Sequence, residues 1–443
     1  MIAKGPEPGT TRHDWWPLIA AAAVYAIVIA VLVFVRTSGV DATDDYATAQ
    51  AKTTSDFRDF WWTAKHFRQT GEITTSFGVH NYLPFFTIFM LPWSLLPLQV
   101  AATLFSLLSL GLFAIAAMLT ENLLSDGWRR RPRAALLVAL GLALAYVHAC
   151  AIIGNVGLLM VFLVVTAWFL VERGREWEAG AALGLAAMIK LLPAALVVYF
   201  VLKRRWRVAG GAAVVVVVLG GGLPLVALGP QETLTQHKAF YERAIIQHSA
   251  MRTLTAEKPV KAFYSNNAVP MVLRRLLTHT NCGKDEPDGR LFVNIADLPP
   301  AASTGIYVLL MAVIGGTSVW VALRRPDRWP PESIEAGRSL RAQFAAWCCL
   351  MLLASPLVWT HYLPLVYWAL ALVADRAERT HRSGRTACAV SRVALILWLL
   401  GAVLLAWPAA RAVGAQIASV AVLWVASVWI ATRPVLAAST PRR

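Results

Sequence analysis

The chain has 443 residues, of which 58% are hydrophobic and 15% charged, with a net charge of +16. Soluble domains carry about 25% charged residues and have too little interior for so much apolar chain, so a soluble enzyme, a nucleic-acid-binding domain and a secreted disulfide scaffold are excluded. Uncharged runs as long as 209–228 also exclude a transmembrane β-barrel, whose strands alternate apolar and polar residues.

The expected fold class is an all-α polytopic membrane protein, a single integral membrane domain over residues 1–443 with about 11–13 transmembrane or half-inserted helices. Residues 1–15 are polar, and the apolar run that follows is too long for a signal-peptide core, so 16–36 reads as a retained first span. A polar segment, 37–81, forms a first extracytoplasmic loop with interfacial helices. Apolar segments follow at 83–97, 99–122, 134–152 and 156–172, then a short hairpin of 178–189 and 191–202, then 208–228. A second long extracytoplasmic loop covers 229–302, and the last spans are 304–323, 342–357, 360–375, 389–408 and 411–432.

Basic clusters at 129–131, 173–175, 203–205, 324–325, 376–392 and 442–443 set orientation under the positive-inside rule. In a polytopic chain they mark cytoplasmic ends and suit anionic membrane lipids, and they do not call for nucleic acid. The two long polar segments and the tips at Asn155, Lys190 and His361 then share the extracytoplasmic side. With 37–81 outside and Arg129 inside, residues 82–128 must cross an odd number of times, although two apolar segments lie there. A Walker loop or a GxGxxG opening a helix is absent, as are metal-ligand clusters and CxxC pairs among the five cysteines, so neither a metal nor a cofactor is called for.

In chain order, the first chemistry-bearing stretch is Asp56-Phe57-Arg58-Asp59-Phe60-Trp61-Trp62. The two aspartates share a helix face, and the aromatic residues suit a helix lying in the membrane interface. First-turn acids after an N-capping Ser55 favour the helix dipole whatever else they do. The functional alternative is a general base accepting a proton from a sugar hydroxyl. Residues 81–97 hold Pro84, Pro92 and Pro97, which break a helix; this is an irregular short helix or a half-inserted element shaping the way in for a lipid chain. Asn155 follows Gly154 at a hairpin tip, where a turn asparagine needs no function. Lys190 lies in a hairpin whose halves are too short to cross a ~30 Å core, so it either snorkels or meets an anion such as phosphate inside a cavity. Asn266 and Asn267 precede an amphipathic run with Arg274 and Arg275, and His361 stands between Trp359 and Tyr362.

Taken together these segments resemble the polyprenol-phosphate-mannose-dependent α-mannosyltransferases of glycosyltransferase family 87, which have the C-type glycosyltransferase fold. The resemblance rests on Asp56 to Phe60, on Tyr82-Leu83-Pro84, and on Gly154 to Leu159. It continues through Lys190 to Pro193 closed by Lys203 to Trp206, Asn266 to Arg275, and Ser355 to His361. Leu83 stands where the family usually has a second proline, and Asn155 and Asn267 where it often has glutamine. The resemblance implies a multi-pass cell-membrane hexosyltransferase with its active site on the extracytoplasmic side. It would move a sugar, expected to be mannose, from a polyprenyl-phosphate donor to a lipid or glycolipid acceptor by a single inverting displacement. Asp56 would be the catalytic base. Lys190 would hold the donor phosphate, with His361 and Arg58 as further candidates. Asp59, Tyr82, Asn155, Asn266 and Trp359 would belong to the acceptor side or the cavity. The competing reading is a lipid or solute transporter without chemistry, for which paired broken helices in the two halves are expected; one short hairpin is present, without a counterpart.

Overall fold

The computed structural model describes residues 15–40, 44–53, 55–73, 82–125, 127, 131–257, 263–283, 289–324, 334–380 and 385–432. The expected basic positions Arg129, Arg130, Arg325, Arg442 and Arg443 lie outside the described residues, as do residues 1–14 and 74–81. Among the described residues the regular structure is helical, without strands.

The first helix is α1 (Trp16–Thr37), followed by the short α2 (Tyr46–Lys52) and α3 (Asp56–Thr70). Next, α4 (Pro84–Met90) runs into a 3-10 turn, Leu91–Leu95, before α5 (Leu98–Leu124). Then come α6 (Ala134–Ile153), α7 (Gly157–Glu172), α8 (Glu176–Ile189) and α9 (Ala194–Leu202). Helix α10 (Trp206–Val215) continues through a π-helical stretch, Val216–Gly222, into α11 (Leu223–Leu228). The second polar loop contributes α12 (Pro230–Phe240), α13 (Ala250–Thr255) and α14 (Val269–Leu277). The last third holds α15 (Pro300–Arg324), α16 (Ile334–Leu353), α17 (Tyr367–Thr380) after a 3-10 turn at Thr360–Val366, α18 (Arg385–Val403), α19 (Pro408–Ala412) and α20 (Ala415–Thr432).

Seven of these segments are long and apolar enough to cross a membrane: 16–37, 98–124, 134–153, 206–228, 300–323, 389–406 and 415–432. The other expected spans correspond to shorter or more charged helices, such as α7, the α8–α9 pair, α16 and α17. The chain is therefore a polytopic all-α membrane protein. The helices of residues 82–128 are compatible with the odd crossing expected there. Pro84 starts α4, Pro92 sits in the 3-10 turn and Pro97 precedes α5, so the helix between them stays too short to span. Among the described residues, helix α5 is left as the one element there of sufficient length.

Helices without a hydrophobic incentive to associate in lipid rely on close backbone approach. Gly180 and Gly184 of α8 supply it: a Cβ on either would lie 2.1 Å from Val208 O or 2.8 Å from Ala212 O of α10. At one end of the bundle, ion pairs fasten the helices. Arg133 pairs with Glu121 at 2.9 Å and also with Asp375, which in turn takes Arg379 at 2.9 Å. Arg341 meets Glu172 at 2.7 Å, and Arg205 meets Glu176 at 2.8 Å. Arg205 and Arg379, which belong to the basic clusters expected at cytoplasmic ends, act here as inter-helix staples, Arg205 through Glu176 and Arg379 through Leu124 O. Arg133 caps the start of α6 and Gly154 its end, so these staples lie about 30 Å from the Gly154 end at 1.5 Å per residue.

Candidate active site

At the Gly154 end the chain brings four elements together. Ser55 opens α3; its hydroxyl accepts from Arg58 N at 3.4 Å and donates to Ile153 O at 2.9 Å, which ties the helix cap to the last turn of α6. Asp56 then takes the first position of α3, where the helix dipole favours a carboxylate. The chain leaves α6 through Gly154 at φ +65°, and a Cβ there would lie 2.5 Å from Phe57 Cβ. Glycine permits both the left-handed turn and the close approach of α3.

Asn155 follows and is fixed at both ends of its amide. Its Oδ1 accepts from Gly157 N at 2.9 Å, and its Nδ2 donates to Asp56 Oδ2 at 2.6 Å. The backbone bond sets the amide's orientation, so that an N–H faces the carboxylate. His361 Nε2 lies 3.6 Å from the same Asp56 oxygen. The histidine stands on the 3-10 turn before α17, which is pressed against the Asn155 turn: a Cβ on Gly157 would meet His361 O at 2.8 Å. The Asp56 side chain is 36% exposed, so this anchored carboxylate keeps an open side.

Lys190 is the cap of α8, where the backbone turns extended (φ −153°, ψ 128°) before Pro193. It is buried, with Nζ 3.5 Å from the Tyr362 ring centroid and 5.5 Å from that of Tyr82. Aromatic faces are favourable neighbours for a desolvated ammonium. His361 lies beside Asp56 and directly precedes Tyr362, the ring under Lys190, so the three residues share one cluster. Tyr82 is held by stacking on Phe86 at 4.3 Å and by the edge of Phe60 at 5.1 Å.

Other predicted site residues stand differently. Arg58 reaches Asp59 Oδ1 with Nη2 at 2.5 Å and Nε at 2.8 Å, and its Nη1 donates to Thr53 O. Tyr46 OH donates to the same Asp59 oxygen at 3.0 Å. Burial pushes the Asp59 carboxyl up, while Arg58 beside it pulls the other way. Arg58 and Asp59 thus form the joint between α2 and α3. Asn266 is buried; its Oδ1 accepts from Ala268 N at 3.1 Å and Val358 N at 3.3 Å, while Asn267 N donates to Val358 O at 2.6 Å. These bonds fasten the loop that carries Trp359 and His361, with half-buried Trp359 capping the 3-10 turn. Two residues that sequence reasoning did not select matter here: Tyr362, the ring under Lys190, and Gly157, the contact point of the turn. Tyr362's place directly after His361 was the available signal.

The model of the family described as glycosyltransferase family 87 matches residues 80–356, more than half of the chain. A curated relative is the polyprenol-phosphate-mannose-dependent alpha-(1-2)-phosphatidylinositol pentamannoside mannosyltransferase of Mycolicibacterium smegmatis, 33% identical over 126 residues. That match covers 28% of this chain and spans about 30% of the relative's length. No solved structure matches the chain. The family match and the apolar helices lead to one conclusion: the chain is a multi-pass membrane protein and belongs to glycosyltransferase family 87.

Proposed function

We propose that the protein transfers a hexosyl group, mannose, from a polyprenyl-phosphate donor to a hydroxyl of a lipid or glycolipid acceptor, on the extracytoplasmic face. The observation that carries this reading is the Asp56 carboxylate, anchored by Asn155 on one oxygen beside His361 and open on its other side. A general base needs that combination of fixed position and access. Asp56 takes the proton of the acceptor hydroxyl as that oxygen attacks the anomeric carbon. The bond between this carbon and the phosphate oxygen breaks, and its electron pair leaves with the polyprenyl phosphate. One displacement inverts the anomeric centre. Lys190 offsets the charge on the departing phosphate from within an apolar, aromatic surround, where a fixed cation acts strongly. His361, beside Asp56 and next in sequence to the ring under Lys190, orients the donor. Arg58 and Asp59 position α3, and Asn266 positions the loop of Trp359.

Charge supports this sidedness. Arg133 and Arg379 meet the end of α5 at the far end of the bundle from Asp56, and arginines there fit the cytoplasmic side under the positive-inside rule. Mannose as the sugar and a glycolipid as the acceptor draw support from the mannosyltransferase of Mycolicibacterium smegmatis that the chain resembles.

The test is transfer from polyprenyl-phosphate-mannose by purified wild type and Asp56→Asn, read as glycolipid product by mass spectrometry. The substitution is expected to lower turnover by roughly 10²–10⁴-fold, the range of general-base contributions. Wild-type turnover in Asp56→Asn would refute the assignment of the base.

A further inference from the structure

Arg274 and Arg275 are neighbours on α14, both buried, yet their surroundings differ. Arg274 donates Nη1 to Thr253 O at 2.8 Å, Nη2 to Glu257 O at 3.3 Å and Nε to Thr280 Oγ1 at 3.3 Å. Arg275 is 0% exposed and makes one bond, Nη1 to Phe263 O at 3.0 Å, while its Nε and Nη2 meet no acceptor. A second guanidinium is close by. Arg411 of α19 lies over the Tyr264 ring at 4.9 Å, half-buried, and its Nε is likewise shielded and unpartnered.

The two arginines are brought together because α14 is pressed against the turn after α19. At Gly414 (φ +83°) a Cβ would lie 2.6 Å from Val272 Cγ1. Burial, with Arg411 nearby, pushes the Arg275 guanidinium down to about 10. The thiol of Cys282, beside Arg275, is pushed up by burial and supplies no counter-charge. Neither arginine is paired with a carboxylate among the described residues. A buried charge without a counter-ion is strongly destabilising, so two such cations in neighbouring elements call for an anionic partner. Planar guanidinium forks match a tetrahedral oxyanion.

We propose that Arg275 and Arg411 form a binding site for a phosphate-class anion, separate from the Asp56 cluster. Arg275 lies about 9 Å further along α14 than Val269, at the rise of a helix, and the Asn266–Val358 fastening that leads to His361 is beyond that start. The anion is either the phosphodiester of a lipid headgroup or free phosphate, and it enters past half-buried Arg411. The site does not depend on the transferase reading.

The test uses the full-length protein in neutral detergent and follows its thermal unfolding in two titrations. One adds inorganic phosphate; the other adds mixed micelles of phosphatidylglycerol, with phosphatidylcholine as the uncharged control. A saturable rise in melting midpoint is expected in at least one anionic arm. Arg411→Gln, at the half-buried position, is expected to weaken the apparent affinity roughly ten- to a hundredfold, as for loss of a charge-assisted fork, and Arg411→Lys to restore part of it. Stabilisation by phosphate assigns the site to a soluble anion; stabilisation by phosphatidylglycerol alone assigns it to a headgroup. Asp56→Asn is expected to respond like wild type. The proposal is overturned if neither anion stabilises, if Arg411→Gln responds like wild type, or if Asp56→Asn abolishes the response.

Discussion

Asn155→Ala is the most discriminating perturbation of the proposed base. Asn155 makes two bonds of different kinds. The Nδ2 bond to Asp56 Oδ2, at 2.6 Å, is short and charge-assisted; the Oδ1 bond from Gly157 N, at 2.9 Å, is an ordinary turn bond. Hydrogen bonds to charged groups contribute about 1.5–3 kcal/mol and neutral ones about 1 kcal/mol. If the first bond aims the carboxylate in the transition state, its loss lowers kcat/KM by roughly 10- to 100-fold at 1.36 kcal/mol per decade. The second bond sets a modest stability loss of about 1 kcal/mol, visible as a small drop in melting midpoint. The assay compares initial rates of sugar transfer at several donor and acceptor concentrations with melting curves of the same preparations. A positioning role lowers kcat with the folded fraction held constant. Transfer within about twofold of wild type would show that Asp56 needs no anchor and would remove the argument that its geometry is prepared by the Asn155 turn.

Lys190→Met keeps the aromatic surround but removes the charge at the leaving phosphate. Its turnover with the polyprenyl-phosphate donor is expected to fall by roughly 10²–10³-fold, the scale of losing one electrostatic stabiliser, while its melting midpoint stays near wild type. Gly154→Ala forces a side chain at φ +65° into Phe57; a stability loss of about 1–3 kcal/mol is expected, together with lower transfer, because α3 must shift. Arg341→Met strips Glu172 of its 2.7 Å partner, at an expected loss of up to about 3 kcal/mol, discounted for partial exposure. Its folded fraction should transfer sugar at the wild-type rate, since this pair lies at the other end of the bundle.

The fold was legible because membrane spans write themselves as long apolar runs, and every expected span has a helix in the structure. The hairpin around Lys190 was legible for the same reason in reverse: two apolar pieces too short to cross leave a charge inside. Asp56, Asn155 and His361 were each selected from local sequence, and topology placed all three on one side. What sequence could not supply is which partner a polar side chain chooses. Arg58 reads as a cation available for phosphate, yet Asp59 next to it and the Thr53 carbonyl take its donors. Asn266 reads as a site residue, yet its oxygen closes a loop through Val358, 92 residues away. The contrast between Arg274 and Arg275 is invisible in a pair of identical letters, because it depends on which side of α14 meets Thr253 and which meets Arg411.

The ion pairs at the arginine-rich end carry a consequence for biogenesis. Arg133 reaches Glu121 across a short connection but Asp375 across 242 residues. As the chain emerges and inserts, α5 and α6 can settle with this arginine already neutralised, so neither helix need carry an unpaired cation while it waits. Arrival of α17 then adds Asp375 and Arg379 together, a pair that is itself neutral. The network therefore grows by charge-balanced additions, a sequence of events under which a late helix can dock without exposing lone charges to lipid.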